Sequence, residues 1–216
     1  MPGLLLITRP EYEDTTRYLS CWSDFILNES KGKGFERIDL SKKKANKERF
    51  LGILRKKSGI RMLVVLNGHG DDRAVAGQDN EIIMSVEDAA LLSDKIIYAR
   101  ACSSAKELGP SAVSSGALAY IGYDIEFVFF TENDKLSRPL QDRTAALFLE
   151  PSNHVPIALL KGHPASDVNY RSQEKSLHVI KRLVAEGPKS VHYYTIPFLF
   201  ANMNHQVCSG GPKARL

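Results

Sequence analysis

Two side chains in this 216-residue sequence stand where chemistry could be done. His69 follows the apolar run Met62-Leu63-Val64-Val65-Leu66-Asn67-Gly68 and precedes Gly70. Cys102 follows Ile96-Ile97-Tyr98-Ala99-Arg100-Ala101. Each run has strand length, and apolar runs without alternation read as parallel strands buried on both faces. Ligands of open parallel sheets bind beyond the carboxyl ends of the strands. Neighbouring strands would present the imidazole and the thiol side by side there. The thiolate is the attacking species; a nearby His takes its proton and hands one to a departing amine. Gly70 has no Cβ, so its N–H can approach a developing oxyanion, and with the N–H of Cys102 it makes a candidate oxyanion hole. A helix is expected over about 105–115, and its positive end would lower the Cys102 thiol pKa. Taken singly, a His-Gly after a strand is commonly a turn, and a Cys ending a strand is commonly a packed thiol. The pair, on successive strands of one inferred sheet, points to nucleophilic catalysis.

Holding that pair takes a framework. Strands are expected at 4–7, 35–40, 61–66, 96–101 and 117–122. Helices are expected at 11–28, 41–57, 86–92, 139–149, 152–160 and 172–185. Residues 74–76 and 81–84 suit a small hairpin, and 126–130 an extended segment or a helix start. A late strand is expected over 193–200, antiparallel at the sheet edge. Alternating strands and helices at this spacing predict an α/β fold: a mostly parallel sheet flanked by helices, a three-layer sandwich. The expected organisation is a single domain over 1–211 and a flexible tail at 212–216.

Composition is that of an ordinary soluble globular protein: 43% apolar residues, 25% charged, net charge +4. The mild positive charge does not call for a nucleic-acid partner. The basic residues of 41–57 read as a solvated helix face, without the interleaved aromatics that single-strand binding uses. Three cysteines, Cys21, Cys102 and Cys208, do not make a disulfide framework. No Cys-x-x-Cys or His-Glu-x-x-His pattern suggests a metal, no cofactor is implied, and no apolar stretch reaches membrane-span length. The amino-terminal run lacks the marks of a signal peptide. The expectation is a cytoplasmic protein with reduced thiols.

The pattern apolar strand–His-Gly followed by apolar strand–Ala-Cys resembles the caspase-like cysteine peptidases of clan CD. Cys102-Ser103-Ser104 is similar to the Cys-Ser-Ser of separase. Ser115-Gly116-Ala117-Leu118-Ala119-Tyr120-Ile121-Gly122 is similar to the next turn and strand of the CHAT and separase branch. The stretches from Phe148 to Leu160 and from Phe200 to Gly211 look like the carboxyl-terminal part of CHAT domains. The likeness covers roughly 60–211, with its sharp motifs around His69 and Cys102. It implies a caspase-like α/β sheet and metal-free endopeptidase activity on a protein substrate by a Cys-His dyad. In it His69 is the general acid/base, Cys102 the nucleophile, and Gly70 with Cys102 the oxyanion hole.

In separase an acidic residue after the strand following the catalytic Cys holds a basic P1 side chain. Asp124 occupies a similar place, with Asp79, Glu132 and Asp134 as competitors, so a P1 Arg or Lys is implied. The separase Leu-Trp-Asp is Gly122-Tyr123-Asp124 here. The caspase Gln-Ala-Cys-Arg-Gly is Arg100-Ala101-Cys102-Ser103-Ser104, which does not support a caspase-type Asp preference. The His-to-Cys spacing is also shorter than the roughly 50 residues of caspases. No acidic orienter for His69 can be chosen from sequence. CHAT relatives imply a separate activator or regulatory protein, in a bacterial defence or signalling system. Two other readings compete: a catalytically silent caspase-like binding or scaffold module, and a nucleotide-binding α/β protein. The latter is opposed by Arg73 at the third position of the Gly-x-Gly-x-x-Gly fingerprint.

Overall fold

The computed structural model describes residues 3–216. Eight strands form: β1 (Leu4–Arg9), β2 (Glu36–Ser41), β3 (Met62–Asn67), β4 (Ala74–Ala76), β5 (Ile82–Ser85), β6 (Lys95–Arg100), β7 (Ala119–Tyr123) and β8 (Gln206–Gly210). Six of them make one sheet in the order β2-β1-β3-β6-β7-β8, and β4 with β5 makes a separate hairpin. All pairs of the large sheet are parallel except β7 with β8.

Strand alternation sorts the core into two layers. Leu4, Leu6, Val64, Leu66, Ile97 and Ala99 face one side, against α3 (Lys47–Lys56), α4 (Leu108–Ser114) and the hairpin. Leu5, Ile7, Leu63, Val65, Ile96 and Tyr98 face the other. There α1 (Asp14–Trp22), α2 (Asp24–Gly32), α5 (Arg143–Leu160) and α6 (Ala165–Glu186) cover the sheet. Both faces are dry, which is why β3 and β6 read as unbroken apolar runs. The result is the expected three-layer, mostly parallel α/β sandwich.

Several boundaries differ from the sequence reading. The helix expected at 11–28 breaks at Ser23, whose buried Oγ donates to Leu19 O and accepts from Asn67 and Arg100. The helix expected at 41–57 begins only at Lys47, where Asn46 Oδ1 accepts from Arg49 N. The helices expected on either side of Pro151 are one continuous α5, capped by Asp142. Residues 193–200 are a short 3-10 turn and the start of α7 (Ile196–Asn204), not a strand. Their burial is one-sided: Leu199 is buried, while Phe198 and Phe200 are exposed. The antiparallel edge strand is β8 instead. Residues 212–216, expected to be a free tail, are tied down. Pro212 O and Ala214 O accept from Ser166 N and Ala165 N, and Leu216 packs on the core.

Candidate active site

Asn67 pairs with Arg100 at the ends of β3 and β6. His69 and Cys102 each lie two residues beyond that pair, so adjacent strands deliver them to the same level of the sheet's carboxyl edge. Both line one pocket of about 240 Å³, together with Thr15 and Leu19 of α1 and Phe127 and Phe129 of the extended segment after β7.

The turn bearing His69 needs two glycines. Gly68 has φ of +153°, and a Cβ there would lie 2.0 Å from Ala76 O. A Cβ on Gly70 would come within 2.9 Å of both Ala101 Cβ and Cys102 O. The hairpin fastens the turn: Ala76 N donates to His69 O and Asp71 N to Ala74 O. Among the described residues, the N–H groups of Gly70 and Cys102 have no backbone acceptor. The Gly70 N–H is left available at the site, while the Cys102 N–H lies against its own sulfur.

The loop after Cys102 is not the expected helix start. Ser103 takes a left-handed φ of +55°, and α4 begins at Leu108. The loop is fixed by Ser103 N to Ile125 O, Ala105 N to Tyr123 O, and Glu107 N and Leu108 N to Asp72 O. No helix dipole therefore reaches the thiol. Burial pushes the Cys102 pKa up, opposed by a hydrogen bond from the Phe127 backbone, with the nearby charge of Glu126 adding to the rise. In the free chain the thiol is protonated at neutral pH and needs a base.

His69 has a carboxylate partner which sequence reasoning missed. Glu13 Oε1 lies 3.2 Å from His69 Nε2, and the same oxygen accepts from Thr16 N at the start of α1. An ionised carboxylate only accepts, so Nε2–H donates in that pair and the Nδ1 lone pair is left unengaged. The usable signal was topological: Glu13 sits just past the carboxyl end of β1, which neighbours β3.

Beneath the pocket, Arg100 is fully buried and bonded only to neutral groups. Its Nε donates to Asn67 Oδ1 at 2.8 Å, one terminal nitrogen to Asn153 Oδ1 at 2.7 Å, and the other to Ser23 Oγ and Leu19 O. It thereby ties the His69 strand, the Cys102 strand, α5 and the α1–α2 break, while burial lowers its pKa.

The four acidic candidates for a basic P1 side chain lie elsewhere. Asp124 Oδ1 is 2.8 Å from His205 Nδ1, Glu132 caps α5 through Thr144, Asp134 pairs with Lys135, and Asp79 accepts from Gln78. None of them is a wall of the Cys102 pocket. Among the described residues no group of three or more His, Cys, Asp or Glu is arranged to hold a metal ion, and no helix is long and apolar enough to cross a membrane.

Strand order and helices on both faces make a caspase-like α/β fold. The chain is similar to the Arg-specific cysteine proteinase gingipain R, with a TM-score of 0.62 and 13% identity over 99% of this chain and 47% of that one. It is also similar to the complex of Porphyromonas gingivalis RgpB pro- and mature domains: TM-score 0.60, 12% identity, 98% of this chain and 47% of that one. At such identities the likeness shows the fold, and the chain spans about half the length of these proteins. No protein-family model and no curated protein matches the sequence.

Proposed function

We propose that this chain is a cysteine endopeptidase acting on a protein substrate through Cys102 and His69. The observation that carries the reading is the Asn67–Arg100 register, which puts both residues on one pocket with Glu13 against the imidazole. The Cys102 thiol gives its proton to His69 Nδ1 as sulfur bonds to the scissile carbonyl carbon. The carbonyl oxygen gains the charge and is met by the N–H groups of Gly70 and Cys102. Collapse breaks the C–N bond, and His69 returns the proton to the departing amine. Water then gives a proton to His69 and adds to the thioester; the C–S bond breaks and sulfur takes the proton back.

The substrate preference we assign is a basic P1 residue held by Asp124, on the separase resemblance. Such a side chain would displace His205 from the Asp124 carboxylate. The CHAT or separase branch, a bacterial defence or signalling setting and a cytoplasmic location rest on the same resemblance. A separate activator or regulatory protein belongs to the same reading, and the pro-domain held by the RgpB neighbour supports it by analogy. The half-buried thiol, whose pKa burial raises, favours one alternative, a catalytically silent scaffold module.

Peptide ketone probes carrying Arg, Lys, Asp or Asn at P1, read by intact mass, separate these readings. A single adduct is expected on the wild-type chain, strongest with Arg or Lys, and none on Cys102→Ala. An adduct that survives Cys102→Ala overturns the nucleophile. A preferred Asp or Asn probe overturns the role of Asp124.

A further inference from the structure

The imidazole of His69 borders two hollows. Besides the Cys102 pocket there is one of about 210 Å³ under the β4–β5 hairpin, lined by Gly70, Asp71, Ala74, Ala76, Asn80 and Ile82. Among the described residues His69 alone lines both, so its ring stands between them.

Peptide cleavage at Cys102 gives the second hollow a role. The acyl half of the cleaved chain stays on sulfur, while the amine half departs from the imidazole that protonates it. The chain beyond the scissile bond therefore leaves past His69. Its first side chain, P1′, meets the hairpin. Gly70, whose N–H faces the developing oxyanion in that chemistry, borders the same hollow.

The hairpin walls select what fits. Ala74 and Ala76, two apart on β4, leave the space open. Ile82, on the facing strand, is an aliphatic side chain 51% exposed. Asp71 sets a carboxylate beside it. Its Oδ1 accepts from Arg73 N and Ala74 N, both at 2.8 Å, and among the described residues Oδ2 has no partner and Asp71 enters no ion pair. The cations next to it in sequence and space are engaged elsewhere: Arg73 with Glu87 and Glu107, and Lys106 with Asp72. Tyr12, whose ring lies 6.4 Å from that of His69, donates to Asn80 Oδ1. Burial, and after it the charges of Glu13 and Asp79, push the Tyr12 pKa up, which marks negative potential on this side of the imidazole. An aliphatic surface beside a free carboxylate matches a long cationic side chain, with its methylene stem on the one and its charged head on the other. A neutral side chain could use only the aliphatic wall, and an acidic one would be repelled.

We propose that this hollow is the S1′ subsite and that it selects a lysine or arginine directly after the scissile bond. Ile82 takes the methylenes and Asp71 Oδ2 the charge. The inference rests on the peptidase reading and adds to it the half of the substrate that leaves.

Peptide α-ketoamides test it, because they span the scissile position and bond reversibly to a catalytic thiol. Sulfur adds to the ketone carbon and the thiol proton passes to its oxygen. P1 is the residue that the irreversible ketone probes prefer, and P1′ is Lys, Gln, Leu or Glu. Protection of Cys102 against the irreversible probe, read by intact mass, ranks the four compounds. The Lys compound is expected to bind at least about threefold more tightly than the Gln compound, and the Glu compound most weakly. Asp71→Asn keeps Oδ1 for Arg73 and Ala74 and should abolish the difference between Lys and Gln. Ile82→Ser should weaken the Lys and Leu compounds alike. If Cys102 is labelled but Lys is not preferred, or the preference survives Asp71→Asn, the subsite is overturned while the peptidase reading stands. A Cys102 that no ketone probe labels overturns both.

Discussion

Glu13 Oε1 and His69 Nε2 stand 3.2 Å apart, although the two residues come from elements far apart in the chain. Glu13 also begins α1 by accepting from Thr16 N, so one carboxylate oxygen serves the helix and the imidazole together. Glu13→Gln keeps an oxygen for Thr16 and weakens the hydrogen bond that orients the His69 ring. The expected result is a fall of roughly 10²-fold in kcat with KM nearly unchanged, and a stability loss below about 1 kcal/mol. Steady-state kinetics with a denaturant titration check this. A fully active variant would remove Glu13 from the orienting role.

Arg100 offers a stability prediction that does not depend on activity. In Arg100→Met, Asn67 Oδ1 and Asn153 Oδ1 lose their donor in a dry interior, and Ser23 Oγ and Leu19 O each lose one of theirs. The expected loss is on the order of 3–5 kcal/mol by urea denaturation. Arg100→Lys keeps the charge but cannot span the same four acceptors, and should fall between wild type and Met.

The fold was legible where both faces of a strand are buried. β3 and β6 announce themselves as continuous apolar runs, and their carboxyl ends gave His69, Gly70 and Cys102. What the sequence hid was set by tertiary contacts. The break at Ser23 exists because Arg100 and Asn67 need its hydroxyl, and neither lies nearby in sequence. Pro151 reads as a helix breaker, yet α5 runs through it with its carbonyl accepting from Ser172. Residues 193–200 are rich in aromatic residues favoured in strands, and burial of Leu199 between exposed Phe198 and Phe200 matches strand alternation as well, yet the segment enters α7 with Pro197 in the first helical turn. The loop after Cys102 looked like a helix start because serines cap helices well. Ser103 instead spends its N–H on Ile125.

The thiols report on burial through pH. Burial raises the pKa of Cys102, so its folded form favours the neutral thiol. Its alkylation by iodoacetamide should be slower at pH 7 than that of a free peptide cysteine, and should keep accelerating above pH 9. Cys208, which burial pushes up to about 11, should react more slowly still. Site-resolved mass spectrometry across pH 6–10 gives both curves. A Cys102 rate that is already level at neutral pH would contradict the assignment of a neutral thiol.

His154 should mark stability on the acid side. Its folded pKa is lowered to about 4, first by burial and then by Lys175, Arg171, Lys161 and His163. Below its ordinary value near 6.5 the unfolded chain binds a proton that the folded chain refuses. Stability is therefore full above about pH 6.5 and declines as pH falls toward 4. For this half-buried group the decline is on the order of 1 kcal/mol. His154→Gln should flatten that part of a melting-temperature profile, and an unchanged slope would assign it to other groups.

The closeness of Gly70 to Ala101 and Cys102 bears on how such a chain would age if selection for cleavage ended. A side chain at position 70 has nowhere to go, whatever the chain is used for. The His69 side chain, half exposed and hydrogen-bonded to Glu13 alone, is under no such constraint. In a lineage drifting toward silence, His69 and Cys102 would be replaced early while Gly70 stayed. A surviving glycine there records descent, and only the intact imidazole and thiol record use.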